Sequence, residues 1–352
     1  MTKKRKTTKK KSKQASTGLN RIFITGGIVT LLALAALICY SYCFTEYKGE
    51  ECRLNIPRDA TDASISDYLH STLGADMGSK VDRLRRIQGG TATSAHGSYL
   101  ITPGESALNI GRRLAKGRQT PVKISWAECR TTGDIAARIS KSIEADSAET
   151  ATAIANVLNS HGVAPENHIG VLLPDTYEVY WSRSAERIVE KIYEAYTALW
   201  SDENKAKARE LKLTPEQVSV LASIAEEETA DAEERAVVAR LYINRLNINM
   251  PLQADPTVRY AIGDYTIRRV TNKHTRYDSP YNTYLHKGLP PGPIRNPSAK
   301  TIRAILNSSP NPYLYMCAKE DFSGKHNFAS DYPTHLANAA RYQAELNRRG
   351  IR

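Results

Sequence analysis

Through most of the chain the apolar positions recur three and four apart, the period of a helix with one buried face, and alternation by two is confined to short runs. The helical period predicts helices over 64–73, with Ile65, Leu69 and Leu73 four apart, and over 107–114, 131–143, 149–158, 185–200, 215–229, 231–246, 298–306 and 334–346. A basic amphipathic piece covers 80–88. Strands are predicted at 47–57, where Cys52 to Ile56 alternate before Pro57, from Gly97, at 122–126, at 170–180 broken by Pro174-Asp175, and at 313–318 and 325–329 as a hairpin. Short strands and helices in small units, followed by a run of helices, give an α+β class. There is no internal repeat.

The segment 215–229 departs from the one-faced pattern. Thr214 suits an N-cap, Pro215 the first helical position, and Gln217 completes a capping box. Val218, Leu221, Ala222 and Ala225 share one face, and Val220 and Ile224 make a second, so the helix is expected to be buried. Yet it ends in Glu226, Glu227 and Glu228, carboxylates at the end of a helix whose dipole opposes them. By helical geometry Glu228 continues the row of Leu221, Ile224 and Ala225, and Glu226 that of Val218 and Ala222. Glu227 continues the mixed row of Val220 and Ser223 and is expected to face water. A Glu held against apolar side chains has a raised pKa, which suits a general acid near neutral pH. Three solvated carboxylates at a helix end fit the same pattern.

A second departure is 247–297, where seven prolines punctuate a long loop rich in Gln253, Asp255, Thr257, Tyr277, Tyr281, Asn282, Thr283 and Tyr284. Hydrogen-bonding side chains among aromatic faces suit a sugar-binding groove, and an ordered surface loop is the plainer reading. A third departure is 22–44, an uncharged and mostly apolar stretch about 34 Å long as a helix, enough to cross a bilayer. It lacks the small-residue site of a cleaved signal, and bulky Ile38 before Cys39 argues against a lipoprotein. The expectation is a single-pass anchor with the N-terminus cytoplasmic.

Composition changes the picture in one respect. The net charge of +12 suggests nucleic acid, but nine of the 49 basic residues fall in residues 1–21, which hold no acid. Beyond them 40 bases face 37 acids, so no nucleic-acid surface is required. The five cysteines are few, widely spaced and odd in number, and read as small apolar residues with one disulfide at most. The histidines show no ligand spacing, and no metal or cofactor is expected.

Several motifs converge on one family. Leu221 to Thr229 (LASIAEEET) resembles the active-site helix of the YceG/MltG family of membrane-anchored endolytic murein transglycosylases. The resemblance continues through Ile243-Asn244-Arg245-Leu246, Met250 to Val258 (MPLQADPTV), Pro280 to Tyr284 (PYNTY), Gly288 to Ile294 (GLPPGPI), Asn296-Pro297, Pro312 to Tyr315 and His326-Asn327-Phe328. Upstream, Gly97-Ser98-Tyr99 and Leu173 to Tyr177 also fit.

The resemblance implies cleavage of peptidoglycan glycan strands between N-acetylmuramic acid and N-acetylglucosamine with 1,6-anhydromuramyl ends, at the inner membrane, with cell-wall synthases as protein partners. It implies Glu228 as the catalytic acid and base, because in related lytic transglycosylases and goose-type lysozymes the catalytic Glu precedes Ser or Thr at a helix end. Glu226 is the second choice, as an orienting group, and Asn244, Gln253, Asp255, Tyr281, Asn282 and Thr283 are expected to line the groove. The middle residue of the triplet is usually Lys in the family; Glu227 departs from that and is expected to raise the Glu228 pKa further.

The organisation expected is a basic cytoplasmic tail at 1–21, a transmembrane helix at 22–44, a membrane-proximal region at 45–145 and a lysozyme-like, mainly helical catalytic domain with a β-hairpin at 146–352. A small LysM-like α/β subdomain is expected around 97–143. Two rivals stand beside this reading: a non-catalytic glycan-binding scaffold of the synthesis machinery, and a hydrolase using a second carboxylate such as Asp255.

Overall fold

The computed structural model describes residues 6–350, with side chains from Phe23 onward. Residues 1–5 of the expected basic tail lie outside that range. Helix α1 (Lys6–Cys43) contains Phe23–Cys43, an exposed run of mean hydropathy 2.2 that is long and apolar enough to cross a membrane.

The chain divides into two compact units. Of the described residues, the first takes those up to 121 with 180–182, and the second takes 122–179 with those from 183 onward. In the first, β1 (Cys52–Ile56) pairs antiparallel with β2 (Gly97–Ile101), Leu54 opposite Tyr99. Between them lie α2 (Asp62–Leu73), α3 (Ala75–Ile87) and the short α4 (Ala92–Ala95), and α5 (Ala107–Ala115) follows. Thr61 and Thr91 open α2 and α4 with reciprocal capping boxes, to Ser64 and Ser94. Gly78 lets α3 press on the end of α2, since a Cβ there would stand 2.6 Å from the Leu69 carbonyl oxygen. Leu54, Ile56, Ile65, Leu69, Val81, Tyr99, Ile101, Ile110 and Leu114 close the core.

In the second unit β3 (Val122–Ser125) is followed by α6 (Thr132–Ile139), α7 (Ser147–Ser160), α8 (His168–Val171) and β4 (Thr176–Val179), which returns to pair antiparallel with β3. Then come α9 (Ala185–Leu199), α10 (Asp202–Glu210), α11 (Pro215–Glu228), α12 (Glu234–Asn247), α13 (Asp255–Ile262) and α14 (Ala299–Leu306). The hairpin β5 (Tyr315–Ala318) and β6 (His326–Ala329) and the helix α15 (Tyr332–Arg348) close the unit. Helix α11 packs against α8, α10, α12, α13 and α14, and so forms the axis of this unit.

Four expectations change. Residues 168–171 are helical rather than the start of a strand; they are buried on every side, and such a run has no period to distinguish helix from strand. Helix α10 buries only Ala208, so it carried no apolar stripe to read. Helix α13 lies inside the proline-rich stretch because Pro256 sits in its first turn, where proline is tolerated. The segment 97–143 is not one subdomain: β2 pairs upstream with β1, whereas β3 and α6 belong to the second unit.

Candidate active site

Helix α11 starts as its sequence dictates. Thr214 Oγ1 accepts from Gln217 N, and the Gln217 side chain accepts from Thr214 N. Val218, Leu221, Ala222, Ile224 and Ala225 are wholly buried. The small polar residue in the middle, Ser223, donates to the Val220 carbonyl and accepts from Ile294 N at 3.1 Å, which ties the 290–298 loop to the helix. Asn296, also wholly buried, extends the tie by accepting from Cys129 N and donating to the Ala127 carbonyl.

The three carboxylates at the end of α11 then diverge. Glu226 points inward: its side chain is 2% exposed, and Oε1 accepts from Ser298 N at 3.1 Å and Ser298 Oγ at 2.5 Å. Arg295 and Arg235 stand 3.6 and 3.7 Å from it. It therefore holds the start of α14. Glu227 does not simply face water. Both its oxygens accept from Arg130 Nη2, at 3.0 and 2.9 Å, and Oε1 lies 3.2 Å from Arg295 Nη1. Arg295 in turn reaches Glu128 at 2.8 Å, and Arg130 lies over the Tyr265 ring.

Glu228 is half-buried with no cation on it. Its Oε1 accepts from the Tyr242 hydroxyl at 2.8 Å. Burial pushes its carboxyl up to about 7, helped by the negative charge of Asp255. The Tyr242 hydrogen bond, Arg259 and Arg245 pull the other way but do not cancel burial. The charge of Glu227, which was expected to raise this pKa, is met by Arg130 at 2.9 Å and Arg295 at 3.2 Å. Thr229 turns away from Glu228 and is buried, donating to Glu234 and accepting from Asp231 N. Glu234 also accepts from His326 N and Nδ1, linking the end of α11 to the hairpin.

The other predicted groove residues separate into two groups. Asp255, at the start of α13, is half-buried and accepts from Tyr284 Oη at 2.6 Å. Gln253 is exposed and adopts a left-handed φ of +52°. Tyr281 tilts against Tyr260 at 4.8 Å, and burial pushes its hydroxyl up to about 12. These three stay accessible. Asn244, Asn282 and Thr283 are instead spent on the scaffold. Asn244 Nδ2 clamps the carbonyls of Asn311 and Tyr313. Asn282 Nδ2 holds those of Thr275 and Tyr277. Thr283 Oγ1 accepts from Ala254 N and meets Thr257 Oγ1 at 2.8 Å.

Sequence reasoning missed Tyr242 and Arg245 as site residues. Both sit on α12; Arg245 donates to the carbonyls of Leu252 and Leu314 and so fixes the chain leading to Gln253. Tyr242 falls in the apolar row of its helix, which hid its hydroxyl. The polar atom at an apolar position was the available signal. Among the described residues no group of three His, Cys, Asp or Glu converges to hold a metal.

The arrangement offers one uncompensated carboxyl poised near neutral pH, a hydroxyl fixing it, and polar loop residues beside it. The described helix and strand order has a counterpart in a solved yceG-like protein from Listeria monocytogenes, with a TM-score of 0.53 and 26% identity over 82% of this chain and 98% of that one. A curated endolytic murein transglycosylase of Bacillus subtilis is 36% identical over 152 residues, 43% of this chain and 42% of that protein. One of Streptococcus pneumoniae is 32% identical over 186 residues, 51% of this chain and 33% of that protein. The chain thus spans well under half the length of these curated relatives. The model of the YceG-like family matches residues 54–341, more than half of the first compact unit and nearly all of the second, and the chain belongs to that family.

Proposed function

We propose that this protein is a lytic transglycosylase that cuts peptidoglycan glycan strands internally, between N-acetylmuramic acid and N-acetylglucosamine, with Glu228 as its acid and base. The observation that carries this reading is the state of Glu228: a carboxyl raised to about 7, without a cation on it, and oriented by Tyr242. A group with that pKa is protonated often enough to donate and ionised often enough to accept.

The reaction consumes no water. Protonated Glu228 gives its proton to the glycosidic oxygen as the C1–O bond breaks, with the substrate N-acetyl group stabilising the cation at C1. The resulting carboxylate then takes the proton of the muramyl 6-hydroxyl as that oxygen closes on C1, which leaves a 1,6-anhydromuramyl end and restores the acid. One carboxyl suffices, whereas a hydrolase of the two-carboxylate kind needs a second free one. Asp255 is engaged by Tyr284 and influences Glu228 through its charge, which favours the single-carboxyl scheme over the hydrolase.

In this reading Phe23–Cys43 is a single-pass anchor, the basic segment before it stays in the cytoplasm, and the units after it act outside on nascent strands. The Bacillus subtilis and Streptococcus pneumoniae relatives named as endolytic murein transglycosylases support the chemistry. The test is mass spectrometry of products from purified strands with residues 46–352 and with Glu228→Gln. Anhydromuramyl ends from the first and none from the second support it. Reducing ends would point to hydrolysis, and binding without cleavage would point to a scaffold.

A further inference from the structure

The arginines around the end of α11 are in different electrostatic states. Arg130 is matched by Glu227, and Arg295 by Glu128, Glu227 and Glu226. Arg259 acts on Glu228 through its charge but has no direct partner: among the described residues its guanidinium makes no hydrogen bond or ion pair, and its Nε is buried without an acceptor. It stands four residues after Asp255 on α13, a spacing that brings Asp and Arg together across one helical turn. Asp255 is taken instead by the Tyr284 hydroxyl. Arg259 also lines a cavity of about 30 Å³ with Arg130, Glu227, Tyr260 and Tyr265. That is room for a small polar group rather than for a sugar ring. A partly buried guanidinium without acceptors is costly, and a carboxylate, which its planar fork matches with two hydrogen bonds, removes the cost.

We propose that Arg259 binds a carboxylate on the side arm of the muramyl residue and is thereby a specificity-determining residue of the groove. This rests on the function proposed above. A muramyl residue differs from N-acetylglucosamine by its lactyl ether. That arm ends in a carboxylate when bare and leads into a carboxylate-bearing peptide when substituted. Recognition of either distinguishes a muramyl unit from its neighbour and sets which glycosidic bond lies at Glu228.

The test is calorimetric binding with the full chain carrying Glu228→Gln, with and without Arg259→Gln or Arg259→Lys, and melting curves for each. The probes are neutral N-acetylglucosamine oligomers, peptide-free muramyl strands and peptide-bearing strands of matched length. The Glu228→Gln protein should prefer at least one anionic strand over the neutral oligomer. Arg259→Gln should weaken binding of that strand about ten- to a hundredfold, leave the neutral oligomer unchanged, and be partly rescued by Arg259→Lys. The strand that carries the preference identifies the carboxylate as lactyl or peptide. Equal weakening for the neutral oligomer, or an undiminished preference, overturns the proposal. Failure of the wild type to cleave any strand would refute the proposed chemistry alone, because the binding comparison does not depend on turnover.

Discussion

The Tyr242 hydroxyl donates to Glu228 Oε1 at 2.8 Å, and the burial that raises the carboxyl to about 7 also holds the phenol well above its ordinary pKa. The phenol therefore stays a donor throughout the working range. Its hydrogen bond favours the ionised carboxylate, so it lowers the Glu228 pKa, while Asp255 raises it. The two neighbours should shift the pH profile of kcat/KM in opposite directions. The first step needs protonated Glu228, so the rate should fall as pH rises through about 7. Tyr242→Phe should move that fall to higher pH, and Asp255→Asn should move it to lower pH. Movement of both variants in one direction would contradict this electrostatic assignment.

Glu228 also links pH to stability. Its folded pKa lies above the ordinary 4.5, so the folded state holds the proton more tightly than the unfolded chain. Its contribution is fully present below about 4.5 and is lost as pH rises through about 7. Glu228→Gln, neutral at every pH, should melt with the wild type in acid and above it at pH 8. The difference is up to about 3 kcal/mol, trimmed by the solvent that reaches this half-buried side chain. Melting curves at pH 4 and pH 8 check it, and a variant less stable than wild type at pH 8 would refute it.

Much of this was legible beforehand because the signals were local. The Thr214–Gln217 box, the all-round apolar α11 and the β5–β6 hairpin follow from spacing alone. The half-buried setting of Glu228 and its raised pKa were reachable from its apolar row. The roles of Glu226, Asn244, Asn282 and Thr283 were not, because a polar side chain reads the same whether it meets substrate or a distant carbonyl. Asn244 reaches residues 67 and 69 positions away, and Glu226 reaches one 72 away. Such pairings depend on tertiary packing, and no periodicity encodes them.

Glu226 and Glu227 should therefore behave as structural residues with different signatures. Glu226→Gln removes the charge that faces Arg295 and Arg235 and weakens the hold on Ser298. It should cost roughly 1–3 kcal/mol of stability and leave kcat of the folded protein within about threefold of wild type. Glu227→Gln releases Arg130 and, with it, the stack on Tyr265. It should also destabilise, yet leave the fall in rate near pH 7 where it was. A displaced profile in Glu227→Gln would show that Arg130 and Arg295 do not screen this charge.

Gln253 offers a test in which stability and activity should separate. Its φ of +52° is a left-handed conformation that costs a side chain about 1 kcal/mol. The strain persists because the backbone is pinned on both sides: Gln253 N donates to the Thr283 carbonyl, Ala254 N to Thr283 Oγ1, and the Leu252 carbonyl accepts from Arg245. A glycine adopts this conformation freely, so Gln253→Gly should raise the melting temperature by the equivalent of up to about 1 kcal/mol, partly offset by the freer unfolded chain. Gln253→Val should lower it, because a β-branched residue tolerates this region least. An exposed side chain kept at a strained position beside Asp255 has its use in the groove. Gln253→Gly should accordingly raise KM for glycan strands several-fold while the protein becomes more stable. A glycine variant that is more stable and binds strands as tightly as wild type would remove Gln253 from the groove and leave the 252–254 turn as its only role.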